Sequence, residues 1–216
     1  MAKNAAIIKD VSAKIRTYAG EAIVIVVTNP LDAMTYLAWK VTGFKRERVF
    51  GMAGLLDGSR FAHLVAAELK IPRSSVETYM LGSHGDTMLA VLSQTRIDGK
   101  PIKDILAKDV LEKLVARARD RGAEIVGLFG TGSAYYSPSA ATFKMIDHIL
   151  NDTKTTVVAS VCLNGEYGLR DITIGVPCKI GKNGIEEIVV LPLSDDEKSS
   201  FLKSAQAIKK SIELLK

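Results

Sequence analysis

The chain has 216 residues, of which 47% are hydrophobic and 25% are charged, and its formal net charge is +5. This composition is typical of a globular protein with one large or two small domains and argues against a disordered chain. The basic residues are scattered among acidic ones, which favours a solvated surface over nucleic-acid binding. No apolar run approaches the roughly 18 residues of a membrane helix, and the first residues are too polar for a signal peptide.

The first third of the sequence alternates helical and strand patterns, which predicts an α/β layer. The run at residues 22–27 is unbroken and β-branched, as is typical of a strand covered on both faces. In chain order the predicted elements are an amphipathic helix with apolar residues from Ile7 to Tyr18, the strand at 22–27, a helix at 30–40 opened by Pro30 and Asp32 and stopped by Gly43, a strand at 48–51, and a helix that carries Phe61 to Leu69 and stops before Pro72.

The pattern changes near Ser74, so we expect a boundary at 71–75, with residues 1–73 and 74–216 as separate units. The second part predicts antiparallel strands with long helices. Its predicted elements are strands at 76–81 and 89–93, a hairpin turn at Asp98-Gly99, helices at 110–125 and 137–150, strands at 155–163, 172–180 and 185–191 with a hairpin turn at Asn183-Gly184, and a last helix opened by a capping box of Ser194 and Glu197. Cys162 and Cys178 lie in the apolar strand patterns, which predicts buried free thiols in a reducing cytosol.

A histidine in a glycine-flanked turn, His84, is the first candidate for chemistry. Removing a hydroxyl proton while hydride leaves the same carbon needs a base that titrates near neutral pH, and histidine does so unperturbed. A buried carboxylate on its other nitrogen would fix the tautomer and raise the pKa, and Asp57 is the candidate partner. The alternative is that His84 is a plain turn residue and Asp57 a helix N-cap. We expect His63 and His148, within helical patterns, to be structural or surface residues.

Two further polar residues suggest a ligand site. Arg60 lies one helical turn after Asp57, and a guanidinium grips a carboxylate through two parallel hydrogen bonds. Asn29 follows an apolar strand, and ligands of parallel sheets bind beyond the carboxyl ends of strands. The alternatives are a surface arginine and an ordinary turn asparagine before proline.

These residues lie in motifs that resemble the lactate/malate dehydrogenase family over essentially the whole chain. The matching segments are 26–32 (VVTNPLD), 51–61 (GMAGLLDGSRF), 81–88 (LGSHGDTM), 132–136 (GSAYY) and 165–168 (GEYG). The Met52-Ala53-Gly54 sequence favours the malate branch. The resemblance implies the C-terminal part of a Rossmann-type parallel sheet followed by an α+β substrate domain with antiparallel strands.

The resemblance also implies an activity and its residues. It implies hydride transfer between NAD and malate, giving oxaloacetate, in a cytoplasmic homo-oligomer of the tricarboxylic acid cycle that uses no metal. By this resemblance His84 is the general acid and base, Asp57 its partner, Arg60 and Asn29 bind substrate with Ser133 and Ala134, and Val27 and Asn29 contact the cofactor. Lactate or another 2-hydroxy acid is the alternative substrate, and NADP the alternative cofactor.

The chain also departs from the family pattern. Gly58-Ser59 stands where Ser-Ala or a similar pair is usual, and we find no Gly-x-Gly-x-x-Gly turn for the pyrophosphate and no mobile substrate-reading loop. The family's first four strands would precede Met1, so the chain resembles about the last two-thirds of the enzyme. A non-catalytic remnant that binds dinucleotide poorly is therefore the second hypothesis. We also expect the strand at 22–27 to present an apolar edge through which the isolated chain associates.

Overall fold

A computed structural model describes residues 1–131 and 133–215. The helices are α1 (Ala2–Tyr18), α2 (Leu31–Thr42), α3 (Gly54–Leu69), α4 (Lys108–Phe129), α5 (Tyr136–Leu150) and α6 (Asp195–Glu213). The strands are β1 (Val24–Val26), β2 (Val49–Met52), β3 (Val76–Glu77), β4 (Met80–Leu81), β5 (Leu89–Ala90), β6 (Arg96–Ile97), β7 (Lys100–Pro101), β8 (Thr155–Asn164), β9 (Arg170–Gly181) and β10 (Gly184–Ile188).

Within the described residues, the main sheet has five strands in the order β1-β2-β8-β9-β10. Strands β1 and β2 pair in parallel, whereas β2 with β8, β8 with β9 and β9 with β10 pair antiparallel. The sheet therefore joins a parallel α/β part to an antiparallel part, which confirms the predicted fold class. The expected boundary at 71–75 stays a prediction. The main sheet contains strands from both sides of this boundary.

The first strand is shorter and less buried than the sequence predicts. It is confined to Val24–Val26, and of the run at 22–27 only Val26 is buried, while Val27 is 52% exposed. The physical reason is its place at the edge of the sheet, where β2 is the one strand that pairs with it among the described residues. Both faces of the strand are nevertheless covered in part, since Ile23 and Ile25 pack against the apolar cluster around Phe50, and Val24 and Val26 pack with the cluster around Met34. The expectation of cover on both faces is therefore confirmed in part.

The run at 76–81 forms two strands in two small sheets rather than one. Strand β3 pairs with β6, and β4 pairs with β5. Between them the chain turns, because the peptide N–H of Val91 bonds to the carbonyl of Tyr79 and the Thr78 hydroxyl bonds to that of Thr95. The strand predicted at 89–93 is likewise reduced to its first two residues.

Short sequence signals correctly predicted where several of the other elements begin, turn or end. Gly43 ends α2 in the left-handed region at φ 67°, and Ser194 opens α6 with both hydrogen bonds of the capping box. The hairpin at Asp98-Gly99 has positive φ at both residues, as a type I′ turn requires.

The largest part of the core lies between the long hairpin of β8 and β9 and helix α6, around Phe50, Phe201 and Ile208. Both cysteines are buried and free, as predicted, and burial raises the pKa of Cys162 to about 11 and that of Cys178 to about 12. Within residues 1–131 and 133–215, no helix has the length and hydropathy needed to cross a membrane.

Candidate active site

The turn that carries His84 is held from two sides. After β4 the chain passes through Gly82, at φ 88°, whose N–H and carbonyl exchange two 2.9 Å hydrogen bonds with Gly175 of β9. A methyl group on Gly175 would lie 2.7 Å from the Gly82 carbonyl oxygen, so the two backbones approach as closely as only glycine allows. On the other side, the Ser83 N–H donates to the Ser204 hydroxyl of α6 at 2.8 Å. The turn is therefore fixed relative to both β9 and α6.

Asp57 bonds directly to the imidazole. Its Oδ2 lies 2.7 Å from His84 Nδ1, and its side chain is only 3% exposed. The N-cap of α3 is Ala53, so Asp57 lies within the first turn of the helix, and the N-cap alternative is wrong. A glycine opens this helix because a side chain on Gly54 would collide with Val158 of β8 and the backbone of Met80. The close approach of α3 to the sheet brings Asp57 to the histidine.

The pair favours a protonated imidazole. Burial lowers the pKa of His84, but the hydrogen bond and charge of Asp57, with the charge of Asp32, outweigh burial and the opposing charge of Arg60, so the pKa is raised above 6.5. Since Nδ1 is engaged by Asp57, the free ring nitrogen is Nε2, for which the described residues provide no hydrogen-bond partner. This arrangement can accept and return a proton at Nε2 near neutral pH.

Arg60 joins the same group. Its Nη1 lies 3.6 Å from Asp57 Oδ1, and its side chain is 11% exposed, which makes the surface alternative wrong. Among the described residues, neither Arg60 Nε nor Asp57 Oδ1 has a hydrogen-bond partner, although both are buried. Burial lowers the pKa of Arg60, the charge of Asp57 raises it, and that of Arg121 lowers it. A buried guanidinium with spare donors is suited to an anionic ligand.

Asp32 is a fourth member that the sequence analysis did not assign. Its Oδ2 accepts the peptide N–H of His84 at 2.9 Å, and its Oδ1 accepts the Ser160 hydroxyl at 2.6 Å. Burial raises the pKa of Asp32 to about 6, against the lowering effect of the bonds from Ser160 and His84. The available signal was the aspartate of the Asn-Pro-Leu-Asp segment, interpreted only as a residue that opens α2.

A cavity of about 250 Å³ opens beside the turn, between the start of α2 and the end of α6. It is lined by Pro30, Leu31, Asp32, Ala33, Ser83, His84, Gly85, Asp86, Thr87, Ala207, Ile208 and Ser211. The cavity thus borders His84, whereas neither Asp57 nor Arg60 lines it.

The other predicted residues lie in separate segments. Val27 and Asn29 are exposed beyond β1, and the Asn29 carbonyl accepts the Asn4 side chain at 2.7 Å. Ser133 is exposed and Ala134 half-buried between α4 and α5, and Gly132 of the same motif lies outside the described residues. Within the described ranges, no hydrogen bond joins these residues to His84, Asp57 or Arg60, so their assignments stay predictions.

The remaining candidates for chemistry lie elsewhere. His63 is exposed, and the ring of His148 bonds to the Thr153 hydroxyl at 2.9 Å. In the part of the chain that the structure describes, no group of three or more His, Cys, Asp or Glu residues is placed to hold a metal ion.

The family follows from comparison with known proteins. The family profile for the lactate/malate dehydrogenase α/β C-terminal domain matches residues 55–216, and that for the NAD binding domain matches residues 1–51. The chain belongs to the lactate/malate dehydrogenase family. The resemblance in the sequence motifs is thereby confirmed.

Individual members of the family agree closely with this chain. A malate dehydrogenase of Trichormus variabilis is 46% identical over 210 residues, which are 97% of this chain and 65% of that protein. The malate dehydrogenase structure of Aeropyrum pernix has a TM-score of 0.97 at 41% identity and covers 99% of this chain and 72% of its own. The lactate dehydrogenase of Cryptosporidium parvum, solved with lactic acid and NAD, has a TM-score of 0.96 at 33% identity, over 99% of this chain and 69% of its own. The chain therefore spans slightly less than two-thirds of the T. variabilis relative.

Proposed function

We propose that this chain carries the catalytic part of an NAD-dependent malate dehydrogenase, which interconverts malate and oxaloacetate. The observation that supports this most is the 2.7 Å bond between His84 Nδ1 and buried Asp57, with Arg60 on the other oxygen of the same carboxylate. An acid–base group thus lies beside a cation that can orient a carboxylate, as a 2-hydroxy acid requires.

In this proposal each side chain has a separate task. His84 Nε2 accepts the proton of the substrate hydroxyl during oxidation and returns it to the carbonyl oxygen during reduction. Asp57 keeps Nδ1 protonated and stabilises the imidazolium that forms. Arg60 binds the C1 carboxylate through its spare N–H donors, and Asn29, Ser133 and Ala134 contribute to the substrate pocket.

The residues present fit the nicotinamide end of the cofactor. Val27 is 52% exposed and Asn29 is exposed, both just beyond the carboxyl end of β1, where ligands of parallel sheets bind. We assign these two residues to the cofactor, with NAD as the first choice and NADP as the alternative. When bound, the nicotinamide ring takes up or releases the hydride.

The experiment is oxaloacetate reduction by the purified chain, followed by loss of NADH absorbance. We expect turnover by the wild type, and a fall of about 100- to 10,000-fold in His84→Asn, the range for removal of a general acid or base. His63→Asn is the matched control, because that histidine is exposed on α3, and its turnover should equal the wild type. Equal turnover in His84→Asn would refute the role of the imidazole.

Substrate preference needs its own comparison, since one structural relative is a lactate dehydrogenase. We propose malate because the sequence Met52-Ala53-Gly54 favours that branch and the two malate dehydrogenases above show the higher identities. A higher kcat/KM for oxaloacetate than for pyruvate is expected. The reverse order would assign the chain to the lactate branch.

A second candidate function is a substrate-side component that does not turn over alone. The observation that favours it is the lack of a Gly-x-Gly-x-x-Gly turn in the sequence, so this chain provides no such cradle for the pyrophosphate. Titration of NADH with fluorescence detection separates the candidates. Tight, saturable binding supports the enzyme, and no binding supports the component.

We also propose that the protein is a cytoplasmic homo-oligomer of the tricarboxylic acid cycle. Its two buried free thiols suit a reducing compartment, and the edge strand β1 and the exposed Ile7, Val11 and Tyr18 of α1 offer apolar surface for association. Analytical ultracentrifugation should show a species larger than 23.3 kDa. A compact monomer at micromolar concentration would contradict the association.

A further inference from the structure

The proposed function assigns no role to the buried carboxylate of Asp32. It is buried, and none of the described Lys or Arg residues forms an ion pair with it. Burying a carboxylate without a cation is unfavourable unless its oxygens receive hydrogen bonds. Asp32 receives two, and one of them comes from the peptide of His84 itself.

The bonds of Asp32 connect three parts of the fold at the His84 turn. Besides His84 N–H, its carboxylate accepts the hydroxyl of Ser160 on β8, and its own carbonyl accepts the hydroxyl of Thr173 on β9 at 2.6 Å. Ser160 and Thr173 are fully buried. Asp32 also lies in the first turn of α2, where the helix dipole favours a negative charge. Asp32 therefore ties the backbone of His84 to α2, β8 and β9.

Besides its hydrogen bonds, Asp32 acts on the imidazole of His84 through its negative charge. The charged groups that face His84 are Asp57, Asp32 and Arg60, and behind Arg60 lies Arg121 of α4. The cavity beside the turn adds Asp86, and its lining from α6 is uncharged. Two carboxylates and one guanidinium therefore lie near the imidazole. The negative charge of Asp32 adds to that of Asp57 in favouring the protonated ring, and the charge of Arg60 disfavours it.

We propose that Asp32 is a positioning residue for proton exchange at His84. It holds the turn through the peptide N–H, and its negative charge supports the protonated ring beside Asp57. The role of Asp32 in catalysis rests on the proposed function. Its effect on the pKa of His84 can be measured without turnover.

The test is an NMR titration of the imidazole Cε1–H of His84 in the full chain. The chain has three histidines, so the three signals can be assigned by single substitutions. In Asp32→Asn the amide oxygen still accepts the His84 N–H, while the charge is lost. We expect the pKa of His84 to fall by about 0.5 to 1 pH unit, the size of effect of a nearby opposite charge.

Asp86→Asn is the matched control, because this aspartate lies in the same turn, is exposed, and makes no hydrogen bond among the described residues. It should move the pKa of His84 by less than about 0.2, since exposed charges are screened. Ser160→Ala provides a second variant with minimal change of volume. It removes one bond to the carboxylate, which disfavours the ionised form of Asp32, and should lower the pKa of His84 in the same direction by a smaller amount.

The outcomes separate this inference from the proposed function. A folded Asp32→Asn chain whose His84 pKa equals the wild-type value overturns the inference, whether or not the chain turns over malate. If Asp32→Asn does not fold, Ser160→Ala takes its place, and an unchanged His84 pKa in that variant overturns the inference. Where turnover is observed, the pH profile of Asp32→Asn should shift to lower pH with the imidazole, which a purely structural residue would not cause.

Discussion

Replacing Gly175 by alanine should detach the His84 turn from the main sheet. The added methyl would lie 2.7 Å from the Gly82 carbonyl oxygen, too close for any real contact, so Gly82 and β9 must move apart. Gly175 is not in the positive-φ region, and therefore the backbone itself tolerates alanine. The whole effect is then the collision and the loss of the two 2.9 Å bonds between Gly82 and Gly175.

The magnitude follows from these two contributions. Each lost backbone hydrogen bond costs about 1 kcal/mol net, and inserting a methyl into a packed interior costs about 1 to 3 kcal/mol, so we expect a loss of about 3 to 5 kcal/mol in the free energy of unfolding. Urea denaturation followed by circular dichroism measures it. Gly127→Ala is the control, because this glycine lies in α4 with no atom near the added methyl, and should gain up to about 1 kcal/mol. If Gly175→Ala is as stable as the wild type, the close approach of Gly82 to β9 is wrong.

Three further predictions concern the site. Asp57→Asn should lower the pKa of His84, because the negative charge of Asp57 is lost while burial and the charge of Arg60 remain; an NMR titration that shows no fall would contradict the pairing. The folded pKa of Asp32, about 6, exceeds its ordinary 3.8, so ionising it opposes folding as pH rises; the stability of wild type relative to Asp32→Asn should therefore fall by about 2 kcal/mol between pH 4 and 7, and a constant difference in urea denaturation would refute this. Arg60→Lys should lower kcat/KM for oxaloacetate about 10-fold or more, because an ammonium cannot make two parallel bonds to a carboxylate, and equal kcat/KM would exclude Arg60 as the carboxylate clamp.

Elements with their own local signals could be predicted from the sequence. Gly43 stops α2 because glycine adopts the left-handed conformation freely, and Ser194 with Glu197 opens α6 because the capping box needs no tertiary contact. The pairing of His84 with Asp57 was also predictable in kind, since a base that must exchange protons near pH 7 needs a partner for its second nitrogen.

The features that could not be predicted depend on tertiary contacts. The run at 76–81 divides where the Tyr79 carbonyl accepts the Val91 N–H and the Thr78 hydroxyl bonds to that of Thr95, and no local residue predicts such a change of sheet. Asp32 was interpreted only as a helix-opening residue because its partners, Ser160 and the His84 peptide, lie 128 and 52 residues away.

The most direct test of the central claim is the pH dependence of kcat/KM in both directions of the malate reaction. Oxaloacetate reduction requires a protonated His84 and malate oxidation a neutral one, so the first should fall and the second rise through the same apparent pKa, above 6.5 and equal to that of the imidazole by NMR. Rates that change in the same direction, or that follow a different pKa, would show that His84 does not exchange the substrate proton.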